Sequence, residues 1–115
     1  MTLTLEQMKA NRKLWVEALR SGRYEQTKST LVDSRGYCCL GVACVVAGKQ
    51  DDEISDFTNL SDFKDVRKFF GIRDYDGDFY GGSLVCLNDD AGYTFEQIAE
   101  VIESEPPGLF VEKGA

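Results

Sequence analysis

The sequence predicts a small single α+β domain. N- and C-terminal amphipathic helices pack with two short β-hairpins around a central buried apolar segment. Three observations carry this reading. Two stretches of helical periodicity open on the same capping pattern, at Thr4 and at Thr94. Turn signals at 33–36 and 76–77 sit among strand-forming residues. Between them runs Tyr37–Gly48, twelve residues without a charge that hold three of the four cysteines.

The elements follow in order. Thr4 and Gln7 form a Thr-x-x-Gln capping box, with Leu3 and Met8 as its hydrophobic staple. Leu5, Met8, Trp15, Ala18 and Leu19 then recur at helical spacing, Lys13 and Arg20 lie toward the C-terminal end, and Gly22 is the stop, which predicts a helix over 4–20. Thr27, Thr30, Leu31 and Val32 suit a strand, Asp33-Ser34-Arg35-Gly36 a turn, and Tyr37-Cys38-Cys39 the return strand. The apolar run outlasts a strand, so 40–47 is expected to be a buried helix ending at Gly48. The acidic stretch 49–59 reads as a surface loop. Ser61 is placed to cap a helix with Phe63, Val66, Phe69 and Phe70 inward and Gly71 at its end. Asp76-Gly77, between 72–75 and 78–80, signals the second hairpin, broken by Gly81-Gly82 ahead of the short apolar stretch 84–87. In the last helix Tyr93, Thr94, Gln97 and Ile98 supply staple and capping box. Phe95, Ile98, Ala99 and Ile102 form its buried stripe, Pro106-Pro107 ends it, and 109–111 suit a short edge strand.

At 115 residues and 43% apolar composition, the chain is long enough for one domain over 1–115 with a core of its own. No stretch approaches the roughly 20 apolar residues of a membrane span. The N-terminus carries no basic region followed by an apolar run, so the expected location is the cytoplasm, with reduced thiols. The net charge of −7 is uneven: residues 1–35 hold seven Lys/Arg and four Asp/Glu, and residues 36–115 hold six and sixteen. The acidic total argues against direct nucleic-acid binding. The first third could still present an anion-attracting patch from Arg12, Lys13, Arg20 and Arg23, or simply solvated helix faces. Patch-to-tail contact between subunits, and hence a homo-oligomer, stays open.

The absence of histidine removes Ser-His and Cys-His pairs, imidazole ligands and imidazole acid–base chemistry. Cys38, Cys39, Cys44 and Cys86 lack the paired spacing of a structural zinc site. A nucleophilic Cys38 or Cys39 at a helix entrance is physically allowed, while inert packing is the usual fate of such cysteines. Asp74-Tyr-Asp-Gly-Asp78 fails the calcium-loop pattern, with Phe79 at position 6 and Val85 at position 12. No metal or cofactor is therefore expected. Asn88-Asp89-Asp90 is the most site-like polar cluster, although Asx-turn chemistry explains the same residues. Tyr75, Phe79 and Tyr80, combined with Arg12, Arg23 or Arg73, could stack on and neutralise a nucleotide if they converge.

Three stretches also carry a resemblance: Trp15-Val-Glu-Ala-Leu-Arg-Ser-Gly-Arg-Tyr-Glu-Gln26, Tyr37-Cys-Cys-Leu-Gly-Val-Ala-Cys44, and Leu87-Asn-Asp-Asp-Ala-Gly-Tyr-Thr-Phe-Glu-Gln-Ile-Ala-Glu-Val-Ile-Glu103. In this order they resemble small proteins encoded by bacteriophages and prophages. The resemblance brings no catalytic residues. It implies a bacterial cytoplasm during infection, where small proteins block or sequester host factors, including the nucleotide signals of immune systems. The expected function is accordingly non-catalytic binding of a host protein or small nucleotide in counter-defence. A small cysteine-dependent enzyme using Cys38 or Cys39 is one alternative, and an acidic nucleic-acid mimic is another. The expected ligand contacts are Arg12, Arg20, Arg23, Arg73, Tyr75, Phe79, Tyr80, Asn88, Asp89 and Asp90.

Overall fold

The computed structural model describes residues 3–111. These form six helices and two small antiparallel hairpins in a single α+β domain. Helix α1 (Leu5–Arg20) starts at the Thr4/Gln7 capping box, with both reciprocal bonds made. Its inward stripe is Met8, Arg12, Trp15, Val16 and Leu19. The stripe therefore includes an arginine that the apolar pattern alone did not mark.

Strands β1 (Val32–Asp33) and β2 (Gly36–Tyr37) close the first hairpin at the expected turn. Asp33 builds that turn with its own carboxylate, which accepts from the N–H groups of Arg35 and Gly36 at 2.8 and 3.2 Å and from the Thr27 hydroxyl at 3.0 Å. The return strand is shorter than expected, because Cys38 leaves it to become a helix cap. Helix α2 (Cys39–Val46) follows at once, with the Cys38 Sγ accepting from the Gly41 N–H.

α2 lies in the middle of the core, buried from Cys39 through Cys44. Gly41 is obligatory there, since a Cβ would overlap the Leu31 carbonyl. At its far end Gly48 N–H donates to Val45 O and Lys49 N–H to Cys44 O, a Schellman stop that leaves few orphan carbonyls.

The acidic stretch 49–59 is more than a surface loop. It contains the one-turn helix α3 (Asp51–Ile54), with Glu53 accepting from the Gln50 N–H, and it drives Ile54 fully into the core. Helix α4 (Lys64–Phe70) begins after Phe63 with no side-chain cap, so Ser61 does not serve as one. Gly71 ends it as expected.

The second hairpin is displaced from its predicted place. Strands β3 (Asp78–Phe79) and β4 (Gly82–Ser83) turn at Tyr80-Gly81, whereas Asp74–Gly77 forms a separate turn. The physical reason is competition for backbone partners. The Arg73 N–H donates to Leu109 O, Ile72 pairs with Phe110, and Tyr75 O accepts from the Leu60 N–H, so 72–75 has no edge left for 78–80. The 109–111 segment makes that single bridge rather than a strand.

Residues 84–87 belong to helix α5 (Leu84–Asp89), capped by the Ser83 hydroxyl. Helix α6 (Phe95–Ser104) opens on the Thr94/Gln97 capping box. It stops at Glu105 in the left-handed region, one residue ahead of the prolines. α6 packs against α1, and α1 also covers α2 and α4.

Trp15 and Phe70 meet at the centre, with ring centroids 5.0 Å apart, and the indole N–H donates to Cys39 O at 3.0 Å. Among the described residues no helix is long and apolar enough to cross a membrane.

Three substitutions check this packing, the third through its pH dependence. Trp15→Ala should cost about 3–5 kcal/mol, read as a lowered denaturant midpoint, because it empties the core centre and removes the indole's bond to Cys39 O. Gly41→Ala should destabilise by about 3 kcal/mol through overpacking against Leu31, more than any exposed alanine substitution. The Asp33 carboxyl is held below its usual range, chiefly by the Arg35 N–H. A depressed folded-state pKa contributes stability above the unfolded value that is lost as pH falls through the folded one. Asp33→Asn should therefore flatten the fall in thermal midpoint below about pH 4.

Candidate binding groove

The helical face of α1 that includes positions 9, 12, 13, 16 and 20 runs beside the C-terminal half of α6. Together they border an open groove of about 710 Å³. α1 contributes Lys9, Arg12, Lys13, Val16, Glu17 and Arg20, and the opposite wall has Ile102, Glu103 and Glu105. Val16 and Ile102 form an aliphatic floor, and charges of both signs form the walls.

Two arginines are held in place by carboxylates. Arg20 bridges Glu96 at 3.2 Å and Glu103 at 2.7 Å on the surface, and these partners raise its pKa, led by Glu103. Arg12 is buried. Its Nε donates to Phe70 O at 2.6 Å, its Nη1 to Glu105 Oε1 at 2.6 Å, and its guanidinium lies 3.8 Å over the Phe110 ring. Burial lowers the Arg12 pKa and the Glu105 charge pulls it back up. Arg12 is thus no member of an exposed basic face, because the core of the fold takes its guanidinium.

The remaining expected contacts scatter. Arg23 is exposed beyond the end of α1. Arg73 is exposed, its carbonyl accepting from Arg67 Nη2 at 2.5 Å. Tyr75 is exposed, Phe79 packs against the core, and Tyr80 stands out at the hairpin turn, 88% exposed. Among the described residues the arginine that stacks on a ring is Arg12, on Phe110.

Asn88 is fully buried, and its amide is used up by the protein. Oδ1 accepts from Cys39 N–H at 3.2 Å and Gln26 Nε2 at 2.9 Å, while Nδ2 donates to Thr27 O at 2.8 Å and Asp89 Oδ1 at 2.9 Å. This amide has no bond left for a ligand. Asp90 caps outward, accepting from the exposed Cys86 Sγ at 3.5 Å.

Cys38 and Cys39 stand at the entrance of α2, yet the thiols there are sealed. Burial pushes Cys38 up to about 12 and Cys39 well above its usual range, with the Asp89 charge adding to both. Burial likewise raises Cys44 to about 12. A thiol so raised is protonated at neutral pH and a poor nucleophile.

Among the described residues no three of Cys, Asp and Glu are gathered to hold a metal ion. Asp74, Asp76 and Asp78 do crowd one another: the Asp78 pKa is raised, first by desolvation and then by Asp74 and Asp76.

Sequence reasoning missed Lys9, Glu103, Glu105 and Phe110. The i, i+4 spacing of Lys9, Lys13 and Glu17 places them along one strip of α1, so Lys9 was within reach of a helical projection. The Arg12–Glu105 pair spans 93 positions, and no local pattern could announce it.

A family of domains described as a domain of unknown function (DUF8296) matches residues 7–75, more than half of the chain. The chain belongs to this family. The match runs from Gln7 within α1 through α4, including the α1 wall of the groove, and α6 lies outside it. No match was found among curated proteins or solved structures.

Thiol counting tests the sealed entrance of α2. Native protein at neutral pH should release about one equivalent of chromophore from a thiol reagent, from Cys86, with the other three appearing only on unfolding. A fast second equivalent mapping to Cys38 or Cys39 would revive a reactive-cysteine site.

Proposed function

We propose that this protein acts by non-catalytic binding in a bacterial cytoplasm, as a phage-encoded accessory factor that sequesters a host protein or small nucleotide signal in its α1–α6 groove. One observation carries the choice of site: the groove joins an aliphatic floor at Val16 and Ile102 to cationic side chains in a protein of net charge −7. Concave sites with an apolar base and a few placed polar groups are the usual form of ligand pockets. Lys9 and Lys13 on the α1 wall offset part of the repulsion that the acidic remainder exerts on an anionic partner. Non-catalytic action is supported by the state of the thiols, three of which are buried and protonated at neutral pH.

The acidic-mimic reading has one specific observation behind it, the crowding of Asp74, Asp76 and Asp78. It predicts binding to a nucleic-acid enzyme that weakens steeply with salt.

The groove reading is tested with wild type and Lys13→Glu, an exposed wall position whose reversal leaves the core untouched. A thermal-shift panel of cyclic and ADP-ribose-derived nucleotides should show a ligand that stabilises wild type by about 2.7 kcal/mol at a hundredfold excess over Kd, or capture from bacterial lysate should retain a protein. Either signal should fall on Lys13→Glu. Binding that ignores this reversal, or no binding in both formats, sinks the assignment.

A further inference from the structure

The groove meets a smaller cleft of about 220 Å³, and three side chains, Lys9, Arg12 and Glu105, line both. The Arg12 side chain is only 6% exposed, and its guanidinium is held from three directions by Phe70 O, the Phe110 ring and Glu105. Its Nη2 is buried without a hydrogen-bond partner among the described residues. That nitrogen lies against Gly71, where a Cβ would come within 2.7 Å of it. Glu105 thus engages one terminal nitrogen through one oxygen. A guanidinium is suited to hold a carboxylate or phosphate through two parallel bonds, the stronger and more specific arrangement.

Glu105 is also a replaceable occupant. Its side chain is 46% exposed, so it can swing into solvent. Its backbone has φ 47°, a conformation side chains other than glycine seldom adopt. Lys9 stands exposed on the shared rim and has no carboxylate at ion-pair distance among the described residues.

We infer that Glu105 is a built-in stand-in for an external oxyanion. A phosphate or carboxylate group of a ligand displaces it, takes Nη1 and Nη2 of Arg12 together, and is neutralised further by Lys9. The inference rests on the groove reading and supplies that ligand's anchor. The gain comes from satisfying a buried donor that Glu105 leaves unpaired.

The test is a low-salt NMR titration of the full chain with inorganic phosphate and, in a separate arm, acetate, using wild type, Glu105→Gln, and Glu105→Gln combined with Lys9→Ala. Glu105→Gln should bind about tenfold more tightly than wild type, the gain expected when a competing state occupied about nine-tenths of the time is removed. Amide shifts should centre on 9–13 and 105–111. Adding Lys9→Ala should return most of that gain, and this arm spares the buried arginine, whose replacement could unfold the chain. Tighter binding of either anion by Glu105→Gln than by wild type, with shifts at those positions, supports the inference. Phosphate alone selects a phosphoryl ligand, and acetate alone a carboxylate. Equal affinity of wild type and Glu105→Gln, or shifts that map away from Arg12, overturns it. If Lys13→Glu still abolishes partner binding while Glu105→Gln gains no anion affinity, the groove stands and the stand-in role falls.

Discussion

The structure depends on a helix that is buried from Cys39 through Cys44. α2 is apolar around its circumference, so it must be enclosed, and its first N–H groups then lie where water cannot reach them. Each such group left unpaired would cost about 1–3 kcal/mol. The fold meets the demand with two side chains from opposite directions. Cys38 Sγ accepts from Gly41 N–H, and Asn88 Oδ1, delivered by α5, accepts from Cys39 N–H. Asn88 also holds Thr27 O and Gln26, so one amide ties the helix entrance, the approach to the first hairpin, and α5 into a single unit. The rest is arranged around that enclosure: α1 covers one side and donates the Trp15 N–H to Cys39 O, and α5 packs another.

This enclosure explains what happened to the most conspicuous chemistry in the sequence. Adjacent cysteines at a helix entrance are placed where a helix dipole would favour a thiolate. Desolvation opposes that effect and is the larger of the two here, since every buried thiol has its pKa raised with burial as the leading cause. Cys38 is used as a weak acceptor and Cys39 as a small packing group. The entrance of α2 is a joint, and binding capacity has to be sought on the outer helices that cover it.

What was legible in the sequence follows the range of the interaction. Capping boxes at Thr4 and Thr94, the Asp33–Gly36 turn, the glycine stops at Gly48 and Gly71 and the buried central helix are all written within a few residues, and all are present. The second hairpin was misplaced because Asp76-Gly77 satisfies a local rule while the backbone of 72–73 is claimed by 109–110 from far along the chain and Tyr75 O by the Leu60 N–H. The inward course of 49–59 was missed for a related reason: Ile54 is one apolar residue among carboxylates, and only the core it fills reveals it. The site was less legible than the fold. Asn88 looks like a ligand-binding residue by composition, and only its four occupied hydrogen-bond positions reassign it. Arg12 looks like part of a surface patch, and only its depth reassigns it.

Arg12 therefore poses the sharper energetic question. Taking a guanidinium out of water is expensive, and a partly exposed carboxylate repays little of that, so an apolar residue of similar volume is often as stable or more so. Its bond to Phe70 O offsets part of the cost by satisfying a carbonyl at the end of α4, and its stacking on Phe110 offsets more. Neither contact uses the Nη2 edge. A side chain kept only to tie α1 to α4 would be expected to have all its donors paired, because a buried orphan works against that purpose. An Nη2 without a partner among the described residues, beside a replaceable Glu105 and the exposed ammonium of Lys9, is the arrangement of an anion-holding edge kept partly occupied by the protein itself.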